Sequence, residues 1–186
     1  MATQVVLIRG INVGGKNPVA MSGLRDVLEQ LGCTDVVTVL ASGNAIVGSA
    51  MSPAQLAETL EQQLPKRFSL HDEVVKVLAL NEKQFRAVVD TRPEGFGDQP
   101  EKYHSDAIFL LGIPVAEAEK VFDPRDGVDA IWPGHGVIYS RRLSAQRTKS
   151  RLSKIVGTPA YKSMTIRSWA TVMKLMGILD QRAAVS

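Results

Sequence analysis

"DVVTVLASGNAIVG", Asp35 to Gly48, joins two β-branched runs through Ser42-Gly43-Asn44. A three-residue junction this rich in turn formers makes the two strands antiparallel neighbours, whereas a parallel pair needs a long crossover. A hairpin at this point excludes a doubly wound parallel sheet. Upstream, Thr3 to Ile8 is an aliphatic run ending at Arg9-Gly10. Leu24, Val27, Leu28 and Leu31 then recur at helical spacing from a Ser22 N-cap to Gly32. Downstream, Ser52-Pro53 opens a helix through about Phe68, with Leu56, Leu60 and Leu64 on one face, and Val74 to Leu80 supplies a fourth strand. The order is β-α-β-β-α-β, the split βαβ arrangement.

A similar series follows. Asn81 opens a helix to about Val89, and Thr91 to Gln99 is a linker rich in Pro, Gly and charge. Strands are expected at Asp106 to Leu111, Val128 to Ile131, Val137 to Ser140 and Lys162 to Ile166. Helices are expected at Pro114 to Val121, Ser144 to Val156 and Arg167 to Leu179. The expected fold is therefore α+β, with two ferredoxin-like (βαββαβ) halves and additional helices. Residues 1–80 form the first half, 81–105 a helix and linker, and 106–186 a second, basic half with a C-terminal helix.

The chain has 186 residues, 45% hydrophobic and only 5% aromatic, so its core is mostly aliphatic. Its longest apolar stretch, Ala107 to Ala116, falls well short of the roughly 18 residues a membrane span needs. A cytoplasmic protein without a membrane association is the expectation. Cys33, the single cysteine, reads as a buried apolar thiol, and His71, His104 and His135 are too scattered for zinc. The aspartates of "DPRDGVD", Asp123 to Asp129, have the wrong spacing for a helix-loop-helix calcium site. No metal or cofactor is expected.

Charge is uneven. Residues 1–100 hold 9 Lys/Arg against 11 Asp/Glu, and residues 101–186 hold 13 against 8. No acidic residue occurs from Ala130 to Leu179, a stretch with nine cations including Arg147, Lys149, Arg151 and Lys154. Such a stretch suggests an anionic partner, and a nucleic acid is one reading. The other is a solvated helix face paired with the acids of the first half. If Lys149, Arg151 and Lys154 lie on a helix, Leu152, Ile155 and Val156 turn inward beneath them. Phe109 and Tyr139, the aromatics of the second half's strands, are expected to fill packing contacts more than to meet bases.

After the first strand, "RGINVGGKN" has the G-x-x-x-x-G-K spacing of a P-loop from Gly10 to Lys16. Asn17 stands where a metal-binding hydroxyl belongs, and neither the acid-ended strand nor the parallel sheet is present, so nucleotide hydrolysis by that mechanism is excluded. Two readings stand: glycine amides beside Arg9 and Lys16 cradle an anion, or Gly10, Gly14 and Gly15 only supply the positive φ of a tight connection. Asn12 and Asn44 are expected to converge, as the first and third strands of such a sheet are central.

"IRGINVGGKN", "SGN" at Ser42 to Asn44 and "KSRLS…TIRSWATVMKL" resemble the bacterial domain of unknown function 1697 family over nearly the whole chain. The resemblance implies a two-part α+β fold with no established activity. Its motif positions fall on Arg9, Gly10, Asn12, Gly14, Gly15, Lys16, Ser42, Gly43, Asn44, Arg167, Trp169 and Thr171. The chain departs from it at Ser168 and Ala170, where the family usually has Asn, and at Arg151, where it has Lys. Together these readings give a binding protein for an anionic or phosphorylated small ligand, held by Arg9, Gly10, Asn12, Gly14, Gly15, Lys16, Ser42, Asn44 and Arg167 at a seam between the halves. A nucleic-acid-binding module and a structural protein without ligand are the alternatives.

Overall fold

A computed structural model describes residues 1–70 and 75–185; the expected strand start at Val74 and His71 lie outside them. The chain divides into two compact units, Met1–Arg86 with Gly177–Ser186, and Ala87–Met176.

In the first unit, β1 (Ala2–Arg9), β2 (Thr34–Val39), β3 (Asn44–Ser49) and β4 (Lys76–Asn81) form an antiparallel sheet in the order β2-β3-β1-β4. The expected hairpin places β2 on β3, and β1 and β3 are central. Alternation along β1 buries both faces. Val6 and Ile8 pack with Leu24 and Leu28 of α1 (Met21–Gln30) and with Leu56, Leu60 and Leu64 of α2 (Pro53–Arg67), while Val5 and Leu7 are fully buried on the opposite face. Ser52 caps α2 in a reciprocal box: its hydroxyl accepts from the Gln55 backbone N–H at 3.3 Å, and the Gln55 side chain accepts from the Ser52 backbone N–H at 3.0 Å. Ser22 does not cap α1. The N-cap is Ala20, without a side-chain bond, because the chain enters the helix two residues earlier from Pro18-Val19, and Val19 is buried.

In the second unit, β5 (Tyr103–Leu110), β6 (Asp129–Pro133), β7 (Val137–Leu143) and β8 (Met164–Ser168) repeat the arrangement in the order β6-β7-β5-β8. The fold is thus α+β with two similar four-stranded antiparallel sheets. Ile108, Leu110, Ile138 and Met164 pack against Ala118 of α4 (Val115–Glu119) and against Ile155. The other sheet face carries Phe109 and Tyr139. Tyr139 meets Phe96 edge-on at 5.2 Å, Phe96 meets Trp169 at 5.0 Å, and the Tyr139 hydroxyl donates to the Val88 carbonyl at 2.6 Å. Both rings are buried, as expected of packing residues.

Two helix expectations fail here. Ser144 to Val156 is not an α-helix but the first two of three 3-10 turns, Ser144–Lys149, Leu152–Gly157 and Pro159–Ser163. Gln146 leaves helical geometry, and the Ser150 hydroxyl accepts from the Leu152 N–H, so serine chemistry interrupts the run. Val156, expected inward, is 57% exposed, while Leu152 and Ile155 are buried. The last helix, α5 (Trp169–Val185), starts two residues later than expected, which leaves Arg167 on β8. The Ser168 hydroxyl accepts from the Thr171 N–H at 3.3 Å and starts the helix there. The helix α3 (Glu82–Asp90) is capped by Asn81 through a reciprocal bond pair with Gln84.

Candidate functional site

The segment after β1 is a small braced hairpin. The Asn12 N–H donates to the Asn17 carbonyl at 3.0 Å, and the Lys16 N–H donates to the Val13 carbonyl at 3.0 Å. Gly14 (φ 57°) and Gly15 (φ 74°) occupy the two central turn positions, the combination that a two-residue type I′ connection requires. Gly10, Asn12 and Asn17 also have positive φ, so five of the eight residues from 10 to 17 do.

Side-chain amides hold this backbone in place. Asn12 Nδ2 donates to the carbonyls of Val19 (2.9 Å) and Ala41 (2.7 Å), and Oδ1 accepts from the Val19 N–H at 2.8 Å. Asn17, buried, donates to the Gly10 carbonyl at 2.8 Å. Asn44 Nδ2 reaches the Val39 carbonyl (2.9 Å) and Ser42 Oγ (3.0 Å). Asn12 and Asn44 therefore reach the same turn, residues 39–42, and each spends its amide on backbone or hydroxyl partners there. Gly43 is close-packed: an added Cβ would stand 2.8 Å from Ile11 Cδ1, and its carbonyl accepts from the Ile8 N–H.

The tip Val13-Gly14-Gly15-Lys16 is exposed, Val13 by 67%. The amides of Gly14 and Gly15 make no hydrogen bond among the described residues, and a Cβ built on either meets nothing within 4 Å. Arg9 is half-buried at the end of β1.

Arg167 belongs to the second unit, on β8 beside Ala107 of β5. It is 7% exposed, donates to Thr165 Oγ1 and the Ile166 carbonyl at 2.9 Å each, and burial lowers its pKa to about 10. Trp169 follows as part of the aromatic packing.

Of the basic segment, Arg151 binds Asp123 at 3.0 Å and Lys154 lies 3.6 Å from the same carboxylate. Their acid is thus in the second half, contrary to the expected pairing with the first. The Asp129 carboxylate accepts from the backbone N–H groups of Arg151 (2.8 Å) and Arg125 (3.0 Å), so "DPRDGVD" anchors the 3-10 turns. Arg147 and Lys149 are exposed. A group outside the sequence reading joins them: Arg141 lies 4.1 Å from the Tyr103 ring centre and 5.1 Å from that of Trp132, with Lys102 at 5.0 Å from Tyr103. The signal for it was alternation on β7, which puts Arg141 on the face of Tyr139.

Cys33 is buried, and burial raises its thiol pKa. Elsewhere in the first unit a cavity of about 630 Å³ is lined by residues including Thr34, Asp35 and Arg182; none of the expected site residues borders it. Arg182 donates there to the carbonyls of Asp35 and Ile46. No helix among the described residues is long and apolar enough to cross a membrane.

The family model described as Protein of unknown function (DUF1697) matches residues 1–139. No curated protein matches the chain. Among solved structures, it is similar to the conserved bacterial protein SP0830 from Streptococcus pneumoniae, at 27% identity and a TM-score of 0.77, over 93% of this chain and 96% of that one. With the glycine hairpin, the Ser-Gly-Asn turn and both sheets in place, the chain belongs to the DUF1697 family of proteins of unknown function.

Proposed function

We propose that the protein binds a phosphorylated or otherwise anionic small ligand at the exposed tip of the 10–17 hairpin. The observation that carries this is the concentration of positive φ in that segment, Asn12 (53°) and Asn17 (49°) among them. A non-glycine residue in the left-handed region costs on the order of 1 kcal/mol, and such cost collects where a particular backbone shape is used. Here the shape is fixed from behind by the Asn12 and Asn17 amides, and what it presents to solvent is two unbonded glycine N–H groups beside Lys16. N–H donors held in advance, with an ammonium next to them, suit an anion because little ordering remains for binding to supply.

Arg9 adds positive charge at the root of the hairpin, and the open space over Gly14 and Gly15 lets an oxyanion approach the backbone. The tip supports binding and not turnover, since a surface so exposed excludes no water from a reacting group.

A thermal-shift panel of inorganic phosphate, pyrophosphate, nucleotides and sugar phosphates tests the reading. A ligand at about 100 times its Kd stabilises the folded state by roughly 2.7 kcal/mol. A rise in Tm that disappears in Lys16→Ala is the expected result. No rise with any anion, or an equal rise in Lys16→Ala, refutes it.

A further inference from the structure

We propose that the second unit carries a separate site, the Tyr103–Arg141–Trp132 row on β5, β7 and β6, which binds single-stranded nucleic acid. The three side chains share the sheet face opposite α4. Arg141 stands across from Ser105 on β5 and Ala130 on β6, which makes Tyr103 and Trp132 its diagonal neighbours on either side. The guanidinium lies 4.1 and 5.1 Å from the two ring centres, so those centres stand at most about 9 Å apart across three strands. That is a track for successive nucleotides and is longer than one phosphate group.

Arg141 is held differently from the other cations of the basic stretch. Arg151 and Lys154 are engaged by Asp123. Among the described residues the Arg141 side chain joins no ion pair and donates no hydrogen bond; its guanidinium lies over the rings of Tyr103 and Trp132, 4.1 and 5.1 Å from their centres. Stacking fixes the plane and leaves the N–H edge available, the arrangement in which a guanidinium reads phosphate oxygens bidentately. Tyr103, Trp132 and Arg141 are all half-buried, so ring and guanidinium surface remains open to solvent.

Further cations flank the row. Lys102 lies over Tyr103, and its carbonyl accepts from the Ser144 N–H at 3.0 Å, which ties the turn Ser144–Lys149 to this end of the sheet. Exposed Arg147 and Lys149 lie on that turn. Aromatic surface interleaved with unpaired cations is the composition that binds single strands, with bases stacked and the backbone neutralised. The paired Arg151 and Lys154 fall outside this site.

Fluorescence anisotropy of end-labelled 12-mers of uridine and thymidine, with the full chain at 50 and 200 mM salt, tests the proposal. Three or four phosphate contacts give a logarithmic salt slope of about −2 to −3, a loss of roughly 20- to 50-fold over that range. Arg141→Ala is expected to weaken binding about tenfold. Arg141→Lys is expected to keep the salt slope yet still weaken binding, because the stacked plane is lost. Should Arg141→Ala not fold, the surface variant Arg147→Ala/Lys149→Ala is expected to flatten the slope by roughly 1.4. No binding at 50 mM salt, binding indifferent to these substitutions, or a duplex held as tightly as a single strand would overturn the proposal. The site is independent of the glycine hairpin, so Lys16→Ala leaves oligonucleotide binding unchanged.

Discussion

Replacing Asn12 with alanine removes three hydrogen bonds at once: two from Nδ2 to the Val19 and Ala41 carbonyls and one to Oδ1 from the Val19 N–H. Each contributes about 1 kcal/mol net, but Ala41 is exposed and water replaces the bond to its carbonyl at little cost, leaving about 2 kcal/mol from Val19, which is 3% exposed. Alanine at φ 53° adds about 1 kcal/mol of backbone strain. Asn12→Ala should therefore destabilise the first unit by about 3 kcal/mol, and Asn12→Gly, which is at ease at that φ, by about 2 kcal/mol. Urea unfolding gives the global values, and hydrogen exchange of residues 7–20 shows whether the loss is local to the hairpin. If Asn12→Ala lies within about 0.5 kcal/mol of the parent protein, the amide is not the brace described. If the glycine variant is the less stable of the two, the strain argument fails.

Gly97→Ala should cost about 2–3 kcal/mol in thermal unfolding, since φ is 84° and the new Cβ would stand 2.3 Å from Trp169 Cδ1. Gly95→Ala, at φ 70° with nothing within 4 Å, should cost only about 1 kcal/mol. Ser52→Ala should lower stability by about 1 kcal/mol in urea, by breaking the α2 capping box. Burial pushes the Asp129 carboxyl pKa up, but hydrogen bonds from the Arg151 N–H, the Ser150 hydroxyl and the Arg125 N–H outweigh it and hold the group below the ordinary carboxylate range. Its stabilisation is present above the unfolded pKa and is lost as pH falls through the folded one. Denaturation curves between pH 6 and about pH 2 should therefore lose part of their acid slope in Asp129→Asn; an unchanged slope would show that the bonds to Asp129 do not matter.

The strands were legible because period-2 burial and turn residues act locally, and the hairpin around Gly43 set the sheet order. The 144–163 segment was not. Leu152 and Ile155 are three apart, a spacing that serves a 3-10 turn as well as an α-helix, and what decides between them is Ser150 and the distant carboxylate of Asp129. Arg167 was read as helical because the capping action of Ser168 depends on one hydroxyl contact. In the hairpin, Gly14-Gly15 announced a tight turn, but Asn17, read as a failed metal ligand, is a buried structural amide. Such a role requires a partner in space, as does the Arg141 row, whose members come from three strands.

The aromatic packing around Phe96 has a spectroscopic consequence. Every tyrosine and tryptophan of the chain, Tyr103, Trp132, Tyr139, Tyr161 and Trp169, falls within Ala87–Met176. Light absorbed near 290 nm is therefore absorbed by one unit alone, while amide circular dichroism is contributed by both. Comparing the two signals in a single melt separates the unfolding of one compact unit from the other without an added label.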